Sequence, residues 1–199
     1  VRFGMFNCSK AISKQNKSSN WSCTKFVLTS PNTKINYGRL LRAMQIQKPI
    51  LLEGSPGVGK SSIVGSVASL CGHNLVRINL SEHTDIADLF GSDLPNADFK
   101  SEGAVSFTWC DGIPVKAMKN GDWVLLDELN LAPQAVLEGL NSCFDHRKSV
   151  FVPEIGLSIE CSDSFRIFCT QNPMKEGGGR KGLPKSFLSR MIRVFMKPI

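Results

Sequence analysis

Gly54, Ser55, Pro56, Gly57, Val58, Gly59, Lys60 and Ser61 follow the G-x-x-x-x-G-K-[ST] spacing of a phosphate-binding loop. The apolar run from Pro49 to Glu53 precedes it and reads as a buried strand. The stretch from Ser62 to Leu70 follows it and reads as a helix. Glycines at 54, 57 and 59 let the backbone curl with its N–H groups pointing inward. Those donors and the positive end of the helix attract phosphate oxygens. Lys60 would reach the β- and γ-phosphates, and the Ser61 hydroxyl would ligate Mg²⁺. A chance glycine-rich turn would not also carry a strand on one side and a helix on the other.

Trp123-Val-Leu-Leu-Asp127-Glu128 is an apolar strand ending in two carboxylates, the Walker B pattern. Asp127 can hold the hydration shell of the metal opposite Ser61. Glu128 is placed to polarise an attacking water. Adjacent acids ending a buried strand are costly unless a cation partners them.

These residues need a frame, and the chain has enough length for one main core: 199 residues. It begins at Val1 and ends at Ile199, and reads as a fragment. No apolar run approaches the roughly 18 residues of a membrane span, and no secretory signal is recognisable. The seven cysteines (8, 23, 71, 110, 143, 161, 169) never fall in C-x-x-C spacing. That argues against zinc and against a disulfide framework, and favours a reducing compartment. His73, His83 and His146 are separated and lack a ligand pattern.

The net charge of +7 is uneven: residues 1–48 hold nine of the 24 Lys/Arg and no Asp or Glu. Residues 1–30 read as a disordered basic leader, rich in Lys, Asn and Ser over 9–22. Direct nucleic-acid contact by this arm stays open. Residues 31–199 read as the folded unit.

A helix is expected over 36–47, then strand 50–53, helix 60–71, strand 75–79 and a second helix over 84–90. Residues 91–112 interrupt that helix with Gly, Pro and Asp around an alternating hairpin segment at 104–109. Helix 113–119, strand 123–126, helix 133–144, a hairpin over 149–161 turning at 154–156, strand 166–170, a glycine-rich loop at 176–182, helix 184–190 and strand 191–196 complete the series. Strands alternating with helices argue for an α/β fold, a five-stranded parallel sheet with helices on both faces.

With these elements in place, the sequence resembles the AAA+ P-loop NTPases. The interrupted second helix resembles the helix-2-insert branch, which includes MoxR-type, dynein-related and McrB ATPases. Longer strings are similar to the midasin family: Pro49 to Lys60, Arg77-Ile-Asn-Leu-Ser81, Asp88 to Asp93, Gly121 to Ala132, Val136 to Asn141, Gln171-Asn-Pro173 and Gly177 to Pro184. That family comprises very large eukaryotic nuclear ATPases with six AAA modules in one polypeptide. The resemblance covers about residues 35–197 and implies an AAA+ large subdomain using ATP and Mg²⁺. It implies neighbouring AAA modules as partners, and a nuclear role in removing assembly factors from pre-60S ribosomal particles.

The resemblance also assigns roles. Asn172 matches the sensor-1 position, and Arg190 matches an arginine finger acting on a neighbouring module, with Arg193 a weaker candidate. Asn79, ending the second strand, would hold Glu128 inactive until a partner engages. Met191 departs from the family, which more often has an aromatic residue there. The C-terminal helical lid with its sensor-2 position falls outside the chain, so the isolated piece is expected to hydrolyse ATP weakly or not at all. Rival readings are a MoxR-like ring-forming chaperone ATPase, a nucleotide-holding structural module with little turnover, and a McrB-like GTPase.

Overall fold

Short apolar runs buried on both sides build the centre of the molecule, as a parallel sheet requires. The structure, a computed structural model, describes residues 2–3, 6–8, 30–95, 107–144, 149–152, 156–173 and 182–198. Most of the expected leader, the turn residues 154 and 155 and nearly all of the glycine-rich loop lie outside them.

The chain opens with a small pair of strands, β1 (Arg2–Phe3) and β2 (Phe6–Asn7). α1 (Pro31–Ala43), β3 (Ile50–Glu53), α2 (Lys60–Cys71), β4 (Leu75–Asn79) and α3 (Ile86–Phe90) follow. A hairpin of β5 (Gly91–Pro95) and β6 (Phe107–Asp111) leads to α4 (Ile113–Asn120) and β7 (Trp123–Asp127). A 3₁₀ turn (Leu129–Leu131), α5 (Gln134–Leu140) and a second 3₁₀ turn (Asn141–Phe144) come next. The hairpin β8 (Ser149–Val152) with β9 (Leu157–Glu160), then β10 (Arg166–Gln171), α6 (Lys185–Arg190) and β11 (Ile192–Phe195), complete the order.

The five central strands are all parallel, in the order β11-β3-β10-β7-β4. Side chains alternate between faces. Ile50, Leu52, Trp123, Leu125 and Phe168 pack with Leu40 and Leu41 of α1 and Ile63, Val64 and Val67 of α2. Leu51, Val124, Leu126, Ile167 and Cys169 pack on the opposite face with Val115 and Met118 of α4, Val136 and Leu137 of α5 and Phe187 of α6. His73 stacks on Trp123 at 4.6 Å between ring centroids, a packing role. Among the described residues no three or more His, Cys, Asp or Glu side chains gather into a metal-binding cluster. No disulfide joins the described cysteines. No described helix is long and apolar enough to cross a membrane.

Most boundaries fall within a residue or two of expectation, and three elements depart further. α1 runs over 31–43 rather than 36–47. Pro31 is in its first turn, where a missing N–H costs nothing. Two polar residues, Thr33 and Asn36, occupy its buried face. Ile46, counted in the expected helix, is 55 % exposed. The helix expected over 133–144 is α-helical only to Leu140, then tightens into 3₁₀ turns. The insert hairpin is wider than its alternating segment: Gly91 pairs with Asp111 and Pro95 with Phe107.

Candidate nucleotide site

The site forms where β3, β7 and β10 end on the same edge of the sheet, a consequence of parallel strands in register. Gln171 pairs with Glu53 and Cys169 with Leu126. The loop from Gly54 to Gly59 therefore leaves the sheet beside Asp127, Glu128 and Asn172. Gly57 (φ 80°) and Gly59 (φ 78°) are left-handed, so the glycines are required there. A Cβ on Gly54 would lie 3.0 Å from Cβ of Met196, so the residue after β11 leaves little room for a side chain there. Ser55, Pro56 and Gly57 are exposed, Val58 is buried, and Ser62 is exposed in the first turn of α2.

Lys60 is only 8 % exposed. Its Nζ donates to the carbonyls of Gly54 at 2.6 Å and Ser55 at 2.9 Å, and to Asn172 Oδ1 at 2.6 Å. Asn172 Nδ2 in turn donates to Glu128 Oε1 at 2.5 Å. One buried amide thus ties the lysine to the acid. Asn130 Nδ2 donates to the Asn172 backbone carbonyl at 3.0 Å and anchors the main chain that carries that amide.

Asp127 is 6 % exposed and richly bonded. Thr170 Oγ1 donates to Oδ1. Ser61 Oγ donates to Oδ2 at 3.0 Å, and Arg77 reaches the same oxygen. Burial works against the Asp127 charge, but the Thr170, Arg77 and Ser61 hydrogen bonds and the Arg77 charge outweigh it and hold its pKa below the ordinary value. Glu128 is the sole non-glycine residue of positive φ among the described residues, at φ 59°. That left-handed turn carries it out of β7, and its N–H bonds Thr170 Oγ1 at 3.2 Å. A non-glycine residue held there costs on the order of 1 kcal/mol or more, and such strain clusters at functional sites.

Ser61 Oγ and Asp127 Oδ2, hard oxygens 3.0 Å apart, fit the donor set that Mg²⁺ takes in phosphate sites.

The structure thus brings Lys60, Ser61, Asp127, Glu128 and Asn172 together. Two further expected residues are Asn79 and Arg190. Asn79 is exposed at the end of β4, level with Asp127. The Asn172 amide donates to Glu128, the contact expected of a polar side chain in that place. Arg190 ends α6, where its NH1 donates to Asn141 O at 3.0 Å and Asn141 Oδ1 at 2.6 Å. Arg193 pairs with Glu53 on the neighbouring strand and lies over the Phe195 ring. The sequence assigns no role to Thr170, Arg77, Asn130 or Asn141, although the last three lie in the strings that resemble the family. Thr170 carries a local signal as well, a hydroxyl closing the apolar run Ile167-Phe-Cys169.

The sequence profile of the AAA domain (dynein-related subfamily) matches residues 49–191, most of the chain and all of this site. The chain belongs to the dynein-related AAA family. Within the family it is similar to the midasin of Dictyostelium discoideum, 54 % identical over 182 residues, 90 % of this chain and 3 % of that protein. The midasin of Giardia intestinalis is 51 % identical over 191 residues, 96 % of this chain and 4 % of that protein. The chain therefore spans only a few per cent of the length of these relatives. A solved structure from Cytophaga hutchinsonii, provisionally named an ATPase, superposes with TM-score 0.55 at 25 % identity, covering 80 % of this chain and 44 % of that one. The fold and the family together make this an AAA+ ATPase module of the dynein-related kind.

Proposed function

We propose that this chain is the ATP-binding and ATP-hydrolysing core of one module of a midasin-like mechanochemical ATPase. The observation that carries the reading is the linkage of Lys60 to Glu128 through the single Asn172 amide. Nucleotide phosphates would lie in the loop from Gly54 to Ser62, against backbone N–H groups and the Lys60 charge. Ser61 and Asp127 would hold Mg²⁺, which supplies charge neutralisation across the phosphates. Glu128 would polarise the attacking water. Asn172 orients that carboxylate and, through Lys60, is sensitive to the phosphates. Arg190, bonded to Asn141 at the end of α6, would serve an adjoining module as a finger, held by Asn141 until docking.

The likeness to midasins supports a larger setting: neighbouring AAA modules in one polypeptide, in the nucleus, removing assembly factors from pre-60S ribosomal particles. Exchange of Lys60 with Ala tests the core of the reading. It should abolish binding of a fluorescent ATP analogue while leaving circular dichroism unchanged. Glu128→Gln keeps an acceptor for Asn172 but loses the charge, so it should bind ATP and slow turnover on the order of 10²-fold or more. In the full-length polypeptide that variant should stay on pre-60S particles. Undiminished affinity in the lysine variant would sink the nucleotide reading, and a freely released Glu128→Gln polypeptide would sink the particle-level one.

A further inference from the structure

Arg77 stands on β4, the edge strand of the central sheet. Its Nε donates to Asp127 Oδ2 at 2.9 Å and its NH2 group converges on the same oxygen. Ser61 Oγ donates to that oxygen as well. The other carboxylate oxygen, Oδ1, is taken by Thr170. A guanidinium usually spreads its fork over both oxygens of a carboxylate. Here both donors crowd onto the one oxygen that faces the metal-ligating hydroxyl.

We propose that Arg77 is a displaceable counter-cation of Asp127, competing with the divalent ion for Oδ2, so that metal–nucleotide binding is coupled to release of the Arg77 side chain. The inference rests on the nucleotide reading given above. Its physical basis is crowding of like charge. Oδ2 cannot serve a guanidinium at close range and a hydrated divalent ion at full strength, because the two cations repel. Exposure makes the exchange practicable. The Arg77 side chain is 42 % exposed and the Asp127 side chain 9 %. Arg77 can therefore swing into water without stranding a buried charge, whereas Asp127 cannot move. Asp127 is thereby neutralised on both sides of the exchange, by Arg77 or by the metal. The released guanidinium then lies at the open edge of the sheet, which makes the edge at β4 responsive to the state of the site.

A purely structural Arg77 predicts the opposite sign. If it only fixed the Asp127 rotamer, its loss would weaken metal binding. The experiment is a titration of Mn²⁺ into this chain with ADP present, following free Mn²⁺ by electron paramagnetic resonance, for the wild type, Arg77→Gln and Arg77→Lys. ADP affinity is measured separately in EDTA. Arg77→Gln should bind Mn²⁺ roughly tenfold more tightly, the worth of a charge-assisted bond discounted for exposure. Arg77→Lys should fall between, and ADP affinity without metal should not change. Unchanged or weaker Mn²⁺ binding in Arg77→Gln overturns the proposal. So does a loss of metal-free ADP affinity, which would make Arg77 a phosphate ligand. A wild type that takes up neither ADP nor Mn²⁺ overturns the nucleotide reading itself, and this inference with it.

Discussion

Replacing Thr170 with Val isolates the polar framework beneath the site. Thr170 is 1 % exposed, and Val has nearly its shape, so no cavity opens and the whole effect is polar. Two contacts vanish: the hydroxyl's bond to Asp127 Oδ1 and its acceptance from Glu128 N–H. The first is a bond to a charged group in a dry site, and the second satisfies a backbone donor at a strained turn. Together they should cost about 2–4 kcal/mol of stability. For a chain of this size that lowers Tm by roughly 4–16 °C. Thr170→Ser is the control, because it keeps the hydroxyl and gives up only a methyl group. Differential scanning calorimetry of the three proteins at pH 7 measures both. The expected order is wild type, then Ser, then Val. If Val proves as stable as the wild type, or Ser is the worse of the two, the hydroxyl does not anchor Asp127 and Glu128 and the account of the site's rigidity is wrong.

Two further outcomes follow from the same contacts. Asn141→Ala should leave this module's own ATP affinity intact and lower hydrolysis at the adjoining site about tenfold or more, a part of what a positioned finger supplies; site-by-site occupancy and turnover in the full-length polypeptide would detect it, and a defect confined to this module's own site would show that Arg190 acts in cis. Asp127 is held below its ordinary value of 3.8, so its bonds stabilise the fold above that value and are lost as the pH falls through the lowered one. Urea midpoints measured down through about pH 4 and below should therefore fall less steeply for Asp127→Asn than for the wild type, and parallel curves would refute the assignment.

Much of this was legible in the residues because parallel strands are apolar throughout and their loops carry the chemistry at one edge. Leu51 and Leu52, Leu125 and Leu126, and Phe168 and Cys169 announce strands buried on both faces. The phosphate loop and the paired acids are contiguous, so they can be read locally. Arg77, Thr170 and Asn141 could not be. Arg77 and Thr170 meet Asp127 only because β4 and β10 flank β7 in a particular register. Asn141 meets Arg190 across a sequence gap that no periodicity spans. The start of α1 is hidden for a different reason: of its first five residues the buried one is polar, Thr33, while the apolar Ile35 is exposed, so residues 31–35 show no apolar stripe.

That helix has a mechanical consequence. Along one face of α1, Asn32 donates to Pro198 O, Asn36 both donates to Lys197 O and accepts from Lys197 N, and Arg39 donates to Phe195 O. The helix runs against the end of β11 like one side of a zip, with the first tooth at the outer end. A pull applied between Ser30 and Pro198 therefore loads these bonds one after another, starting at Asn32. A pull along the strands would instead load many bonds at once and meet far greater resistance. The seam between α1 and the end of β11 would thus give way one hydrogen bond at a time, whereas the parallel strands beside the phosphate loop share a load among many. Tension on this corner can be absorbed there before it distorts the geometry of Lys60, Asp127 and Glu128.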